Sequence, residues 1–124
     1  MPDEQRVAAT VLRDHQDRRI ALSAPTIWEY EVANSLRTAA LRGRIPEGFG
    51  RESLARLLGI GIRIAGFPEY ALRAWELAIG LRIAVYDASY VALAEARECD
   101  LYTCDAQLAR AAEDLVTVHL LGGE

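Results

Sequence analysis

Apolar positions along the chain change spacing repeatedly, from the three-and-four rhythm of a helix to the alternation or short run of a strand. Residues 3 to 16 predict a helix with Val7, Ala8, Val11 and Leu12 on one face. IALSA (20 to 24) predicts a short strand ended by Pro25. A helix follows over 27 to 42, with Gly43 just past its end, and another over about 47 to 59. GIRIAGF, with Ile62 and Ile64 alternating with polar or small neighbours, predicts a strand. Residues 68 to 80 predict a helix stopped near Gly80, and 84 to 97 the most apolar helix of the chain. LYTC (101 to 104) predicts a strand, 105 to 112 a short helix and LVTVHLL (115 to 121) a last strand.

Strands separated by helices imply crossover connections and a mainly parallel sheet covered on both faces, an α/β class with α/β/α layers. Ligands of such sheets gather beyond the carboxyl ends of the strands. At 124 residues the chain suits one domain, 1–124, without internal repeats. Hydrophobic residues make up 52 %, which argues against disorder, and no apolar run reaches the ~18 residues of a membrane span. The first residues, MPDEQRVAATVL, do not read as a secretory signal. A net charge of −4 removes the basic footprint of a sequence-independent nucleic-acid binder, although bound metal ions supply positive charge locally in nucleic-acid enzymes. Cys99 and Cys104 are too few for a disulfide scaffold and read as reduced packing thiols of a cytoplasmic protein.

Three carboxylates stand out. Thr26 and Glu29 match a capping box, which gives Glu29 a structural role. Glu31 is different: with Asn34, Ser35 and Thr38 it forms a polar stripe without Arg, beside an apolar face of Trp28, Val32, Leu36 and Ala39. It reads equally as a surface acid favoured by the helix dipole or as one wall of a polar pocket. Asp87 opens a helix that is apolar almost all round, where an uncompensated carboxylate is costly. Either the helix N-terminus or a cation in a shared pocket offsets that cost. Asp105 is an N-cap by type and position, yet it also ends a strand at the edge where active sites form, with Thr103 on the same side. Three acids at the mouths of successive elements suit a hard cation such as Mg²⁺ or Mn²⁺, which activates water and stabilises in-line phosphoryl displacement.

Other chemistries fit less well. His15 and His119 have no Ser or Cys arranged with them as a triad and read as structural. GIGIR lacks the lysine and spacing of a phosphate-binding loop. The chain contains no lysine, which removes a phosphoryl-receiver reading.

The stretches IWEYEVANSLR, LRIAVYDASYVALAEA and LYTCDAQLARAA together resemble the PIN domain, especially the VapC-type toxin ribonucleases, in order from about residue 3 to residue 121. The resemblance implies a parallel α/β/α sandwich, Mg²⁺- or Mn²⁺-dependent cleavage of RNA and inhibition by a cognate antitoxin. By motif it implies Glu31, Asp87 and Asp105 as catalytic, metal-binding acids, Asn34 and Thr103 as supporting polar groups, and Arg37 and Arg44 as candidates for holding RNA phosphates. It also implies a homodimer, in keeping with several Ala/Leu-rich helices. One departure matters: the family opens with a hydrophobic strand ending in aspartate that sits mid-sheet, and this sequence shows neither, since no strand precedes Asp3. The departure implies a gap in the sheet and three carboxylates in place of four. Roughly 20 residues omitted upstream, a degenerate member, or a gap closed by strand exchange or a partner chain all remain open.

Two functions therefore compete. One is a metal-dependent endoribonuclease, the toxin of a type II toxin–antitoxin pair. The other is a catalytically degenerate PIN-like module that binds an antitoxin or a twin subunit.

Overall fold

The computed structural model describes residues 22–121. The helix expected over 3 to 16, His15 and the first two residues of IALSA lie outside them. Two units of the same kind follow one another. In the first, β1 (Ser23–Pro25) leads through α1 (Ile27–Leu41) and α2 (Glu47–Leu58) to β2 (Arg63–Ala65). β1 and β2 pair in parallel, Ser23 opposite Arg63 and Pro25 opposite Ala65. In the second, β3 (Leu101–Thr103) leads through α5 (Ala106–Ala112) to β4 (Val118–Leu120), again in parallel, Leu101 opposite Val118. Between the units lie a 3₁₀ turn (Phe67–Glu69), α3 (Ala71–Leu81) and α4 (Val85–Arg97). Parallel pairs need crossovers, and the helices provide them.

The α/β class and parallel pairing agree with the sequence pattern, and the described strands leave a break in the sheet as the departure from the family implied. The described strands form two separate pairs, β1–β2 and β3–β4. No described strand joins β1 to β3, and α4 packs against both.

The core lies around α3 and α4. Ala74, Leu77 and Ala78 of α3 face Ala88, Val91, Ala92 and Leu93 of α4, and Leu101, Leu108 and Ala112 extend the cluster into the second unit. Small residues let the helices approach closely, and each large apolar side chain removed from water adds about 1.5–3 kcal/mol. The buried polar groups are satisfied: Ser89 Oγ donates to the Val85 carbonyl at 2.8 Å, and the Tyr70 hydroxyl to the Ala65 carbonyl at 3.2 Å. On the surface, Arg73 grips Glu95 and Arg97 grips Glu69, tying α3 and the 3₁₀ turn to α4.

Several local expectations change. The capping box at Thr26 does not form; Thr26 Oγ1 donates to the Ala65 carbonyl at 3.1 Å, so it fastens α1 to β2. The strand around Ile64 is short and leaves Ile64 exposed, with Ala65 as its buried residue. Pro68 lies in the 3₁₀ turn Phe67–Glu69, Tyr70 ends it, and α3 begins only at Ala71. Gly80 does not stop α3, because Arg82 takes the left-handed cap at φ +57°. Gly43, at φ +72°, does follow α1 as expected. Cys99 and Cys104 are free but exposed, so neither is the packing thiol that their type suggested. His119 is structural as expected: its Nε2 lies 2.8 Å from Asp100 Oδ2 and its ring stacks on Tyr102.

Candidate active site

Asp87 sits in the first turn of α4, half-buried. Packing of α4 on α3 and on both strand pairs fixes where this helix begins, and so where the carboxylate stands. Its proton affinity lies above the usual carboxylate range, first because burial penalises the charged form and second because the Asp105 charge opposes it. The two acids, 18 positions apart in sequence, therefore share one electrostatic environment.

Asp105 follows β3 and caps α5. Its Oδ1 accepts from the backbone N–H of Gln107 at 2.9 Å and of Leu108 at 3.2 Å, leaving Oδ2 outside the capping bonds. Thr103 positions this turn rather than reaching outward: its Oγ1 accepts from the Asp105 N–H at 3.1 Å. Both functional and capping readings of Asp105 are thus compatible, one oxygen for each.

Glu31 is exposed on α1 and reaches the others through Tyr90. The Tyr90 hydroxyl donates to Glu31 Oε1 at 2.8 Å. Burial raises the Tyr90 pKa far above its ordinary value, the hydrogen bond to Glu31 raises it further, and the charges of Glu31 and Asp87 add to this. Tyr90 lies about one helical turn beyond Asp87 on α4 and feels the charges of both Glu31 and Asp87. It remains a neutral donor at every physiological pH.

Among the described residues no three His, Cys, Asp or Glu side chains gather closely enough to hold one ion. What the structure brings together is the Asp87–Asp105 pair, with Glu31 tied to it through a phenol. Among the described residues no ion pair includes any of the three acids; Arg73, Arg97 and His119 are paired with other carboxylates. Asn34 is exposed on α1, three residues after Glu31. Arg37 and Arg44 are exposed, on α1 and on the loop after it.

Tyr90 is a member of the site that the nearly all-apolar pattern of its helix does not single out. The signal was present: YDASY spaces Asp87 and Tyr90 by three, which puts both on one face.

Parallel strand pairs with acids at the mouths of the elements that follow them define a parallel α/β domain with an oxygen-rich site. The chain belongs to the PIN domain family, whose model matches residues 2–114, and within it to the VapC type. It is 37 % identical over 113 residues to a VapC ribonuclease of Mycobacterium bovis, covering 86 % of this chain and 85 % of that one. It is 39 % identical over 90 residues to ribonuclease VapC3 of Pyrobaculum aerophilum, covering 71 % and 69 %. The fold is similar to the crystal structure of PAE2754 from Pyrobaculum aerophilum, with a TM-score of 0.73 at 21 % identity, covering 94 % of this chain and 78 % of the other.

Proposed function

We propose that the chain is a metal-dependent endoribonuclease, the toxin of a type II toxin–antitoxin pair. The observation that carries this reading is the Asp87 carboxyl, partly buried at the mouth of α4 and raised in proton affinity by burial and by Asp105. A carboxylate pair of this kind is stabilised by a cation. Its donors are all oxygen, which fits Mg²⁺ or Mn²⁺, and Mg²⁺ is commonly held by one or two carboxylates with waters and substrate phosphates. Asp87 and the uncapped oxygen of Asp105 would hold the ion, with Glu31 linked to them only through Tyr90. When bound, the ion supplies a lowered water pKa and charge neutralisation at the phosphate. Tyr90 orients Glu31, Thr103 holds the Asp105 turn, and Asn34 adds a polar group on the Glu31 face. Arg37 and Arg44 attract the RNA backbone. Kinship with VapC ribonucleases supports RNA as the substrate and a cognate antitoxin as the partner.

The apolar stripe Leu72, Trp75 and Ile79, exposed along α3, supports a homodimer. Tyr30, Leu41, Phe49 and Leu58, exposed on α1 and α2, offer a face for the antitoxin. No single described helix is long and apolar enough to cross a membrane, and the free thiols accord with a cytoplasmic location.

The test is cleavage of a fluorescent single-stranded RNA in Mn²⁺ and in EDTA, by the native chain and by Asp87→Asn. Cleavage should need the metal and fall by more than about a hundredfold in the variant, whose circular dichroism stays native. Undiminished cleavage by Asp87→Asn contradicts the residue assignment. No cleavage by the native chain under any metal leaves the binding-module reading in its place.

A further inference from the structure

Helix α4 is the core helix of the molecule, yet its second residue is a large aromatic left in water. Every residue from Ala88 to Ala94 except Tyr90 is buried. Tyr86, one step before Asp87, is 58 % exposed. Among the described residues neither its ring nor its hydroxyl has a partner. The ring contacts are those of Phe67 with Tyr70 and of Tyr102 with His119, and the tyrosine hydroxyls that donate are those of Tyr70 and Tyr90. A single exposed tyrosine is ordinary. What singles this one out is where it stands.

Residues four apart on a helix stand one above the other, and helical side chains lean toward the N-terminus. Tyr86 comes four residues before Tyr90, so the two phenols share one face of α4. Tyr90 is on the inner turn, its ring lining the groove between the strand pairs and its hydroxyl held on Glu31. Tyr86 is on the outermost turn, at the mouth where Asp87 stands. It therefore flanks the acids on the face that Glu31 reaches through Tyr90. Coulombic attraction for RNA is weak at this mouth: among the described residues no ion pair includes the site acids, and the chain carries a net charge of −4. Beyond a bound cation, affinity there has to come from uncharged contacts. Stacking on an aromatic face is the uncharged contact that every nucleobase can make.

Given RNA as the substrate proposed above, we infer that Tyr86 is a stacking platform for the nucleobase next to the scissile phosphate, so that the site takes RNA whose bases are unpaired. A phosphate held beside the Asp87–Asp105 pair brings its neighbouring base to the residue adjoining Asp87. The ring there meets the base on its face, and a base stacked inside a duplex has no free face to offer. Contact through the π-face reads strandedness rather than sequence, with only a modest preference set by stacking strength. Tyr86 thus selects the substrate's form, while the acids carry out the reaction.

The experiment measures binding, not cleavage, by the 124-residue chain. The probes are an oligoadenylate of about eight nucleotides and the same sugar–phosphate chain without bases, in Ca²⁺, which takes oxygen ligands and neutralises the acids. Both probes carry the same phosphates, so the difference between them isolates the bases. The native chain should bind the oligoadenylate about tenfold or more tightly than the abasic chain. Tyr86→Ala should lose most of that preference and Tyr86→Phe should keep it, while all three proteins bind the abasic chain alike. A preference that survives Tyr86→Ala, or that Tyr86→Phe loses, overturns the inference. So does an equal weakening of both probes by Tyr86→Ala, which marks a structural role, and so does a native chain that shows no preference up to about millimolar probe. If Tyr86→Ala instead shifts the sedimentation of the free chain and leaves the preference intact, the ring belongs to a protein contact and the inference also falls. The nuclease assignment fails separately: a Tyr86-dependent preference in a chain that cuts no RNA keeps the platform and drops the nuclease, and metal-dependent cleavage without the preference does the reverse.

Discussion

Helices α1 and α4 each carry one acid of the candidate site, and the chain supports them in opposite ways. α4 buries six of its residues, Ala88, Ser89, Val91, Ala92, Leu93 and Ala94, against α3 and the strand pairs. α1 has no fully buried residue and leaves Tyr30 and Leu41 exposed. Asp87 is therefore placed by a packed core, whereas Glu31 is placed by one hydrogen bond from Tyr90. Position is expensive to alter at the first acid and cheap at the second.

The largest effect that this contrast predicts is on stability. Leu93→Ala should cost about 2–5 kcal/mol in urea unfolding, whereas Leu41→Ala, 69 % exposed, should stay within about ±0.5 kcal/mol. Similar losses at the two sites would show that α1 is packed as tightly as α4.

A smaller effect is expected on activity. Tyr90→Phe removes the hydroxyl that holds Glu31 but keeps the ring that lines the groove, and should slow RNA cleavage roughly tenfold while the melting temperature barely moves. An unchanged rate would mean that Glu31 works without being held.

The smallest effect is a pH dependence. The folded state raises the proton affinity of Asp87, by burial and then by Asp105. Its contribution to stability is thus fully present below the unfolded carboxylate pKa and is lost as pH rises through the higher folded value. In metal-free buffer Asp87→Asn should melt above the native chain at pH 7, and the gain should vanish at about pH 3, below the ordinary carboxylate range. A gain that grew in acid would reverse the assigned sign.

What the sequence made legible follows the range of each interaction. Asp105 as a cap was readable because its partners, Gln107 and Leu108, are two and three residues away. Thr26 misled because its best acceptor, Ala65, is 39 residues distant and outcompetes the local cap. The α/β class showed in the switching periodicity, and α4 in its nearly continuous apolar run. The division of the described strands into two pairs was not contained in any one strand's pattern, since Ser23–Pro25 and Leu101–Thr103 say nothing of each other; the gap was implied only by the departure from the family at the start of the sequence. For Tyr90 only its place on the Asp87 face was legible; its role was not, because a phenol on a buried helix looks like core until Glu31, 59 residues earlier, is found on its hydroxyl.

The central claim is that Asp87 and Asp105 bind one catalytic cation. Electron paramagnetic resonance of free Mn²⁺ titrated with the native chain, Asp87→Asn and Asp105→Asn tests it without any RNA. The native chain should bind Mn²⁺, and each variant should bind it at least about tenfold more weakly. Equal Mn²⁺ uptake by all three proteins, or none by the native chain, would contradict the account.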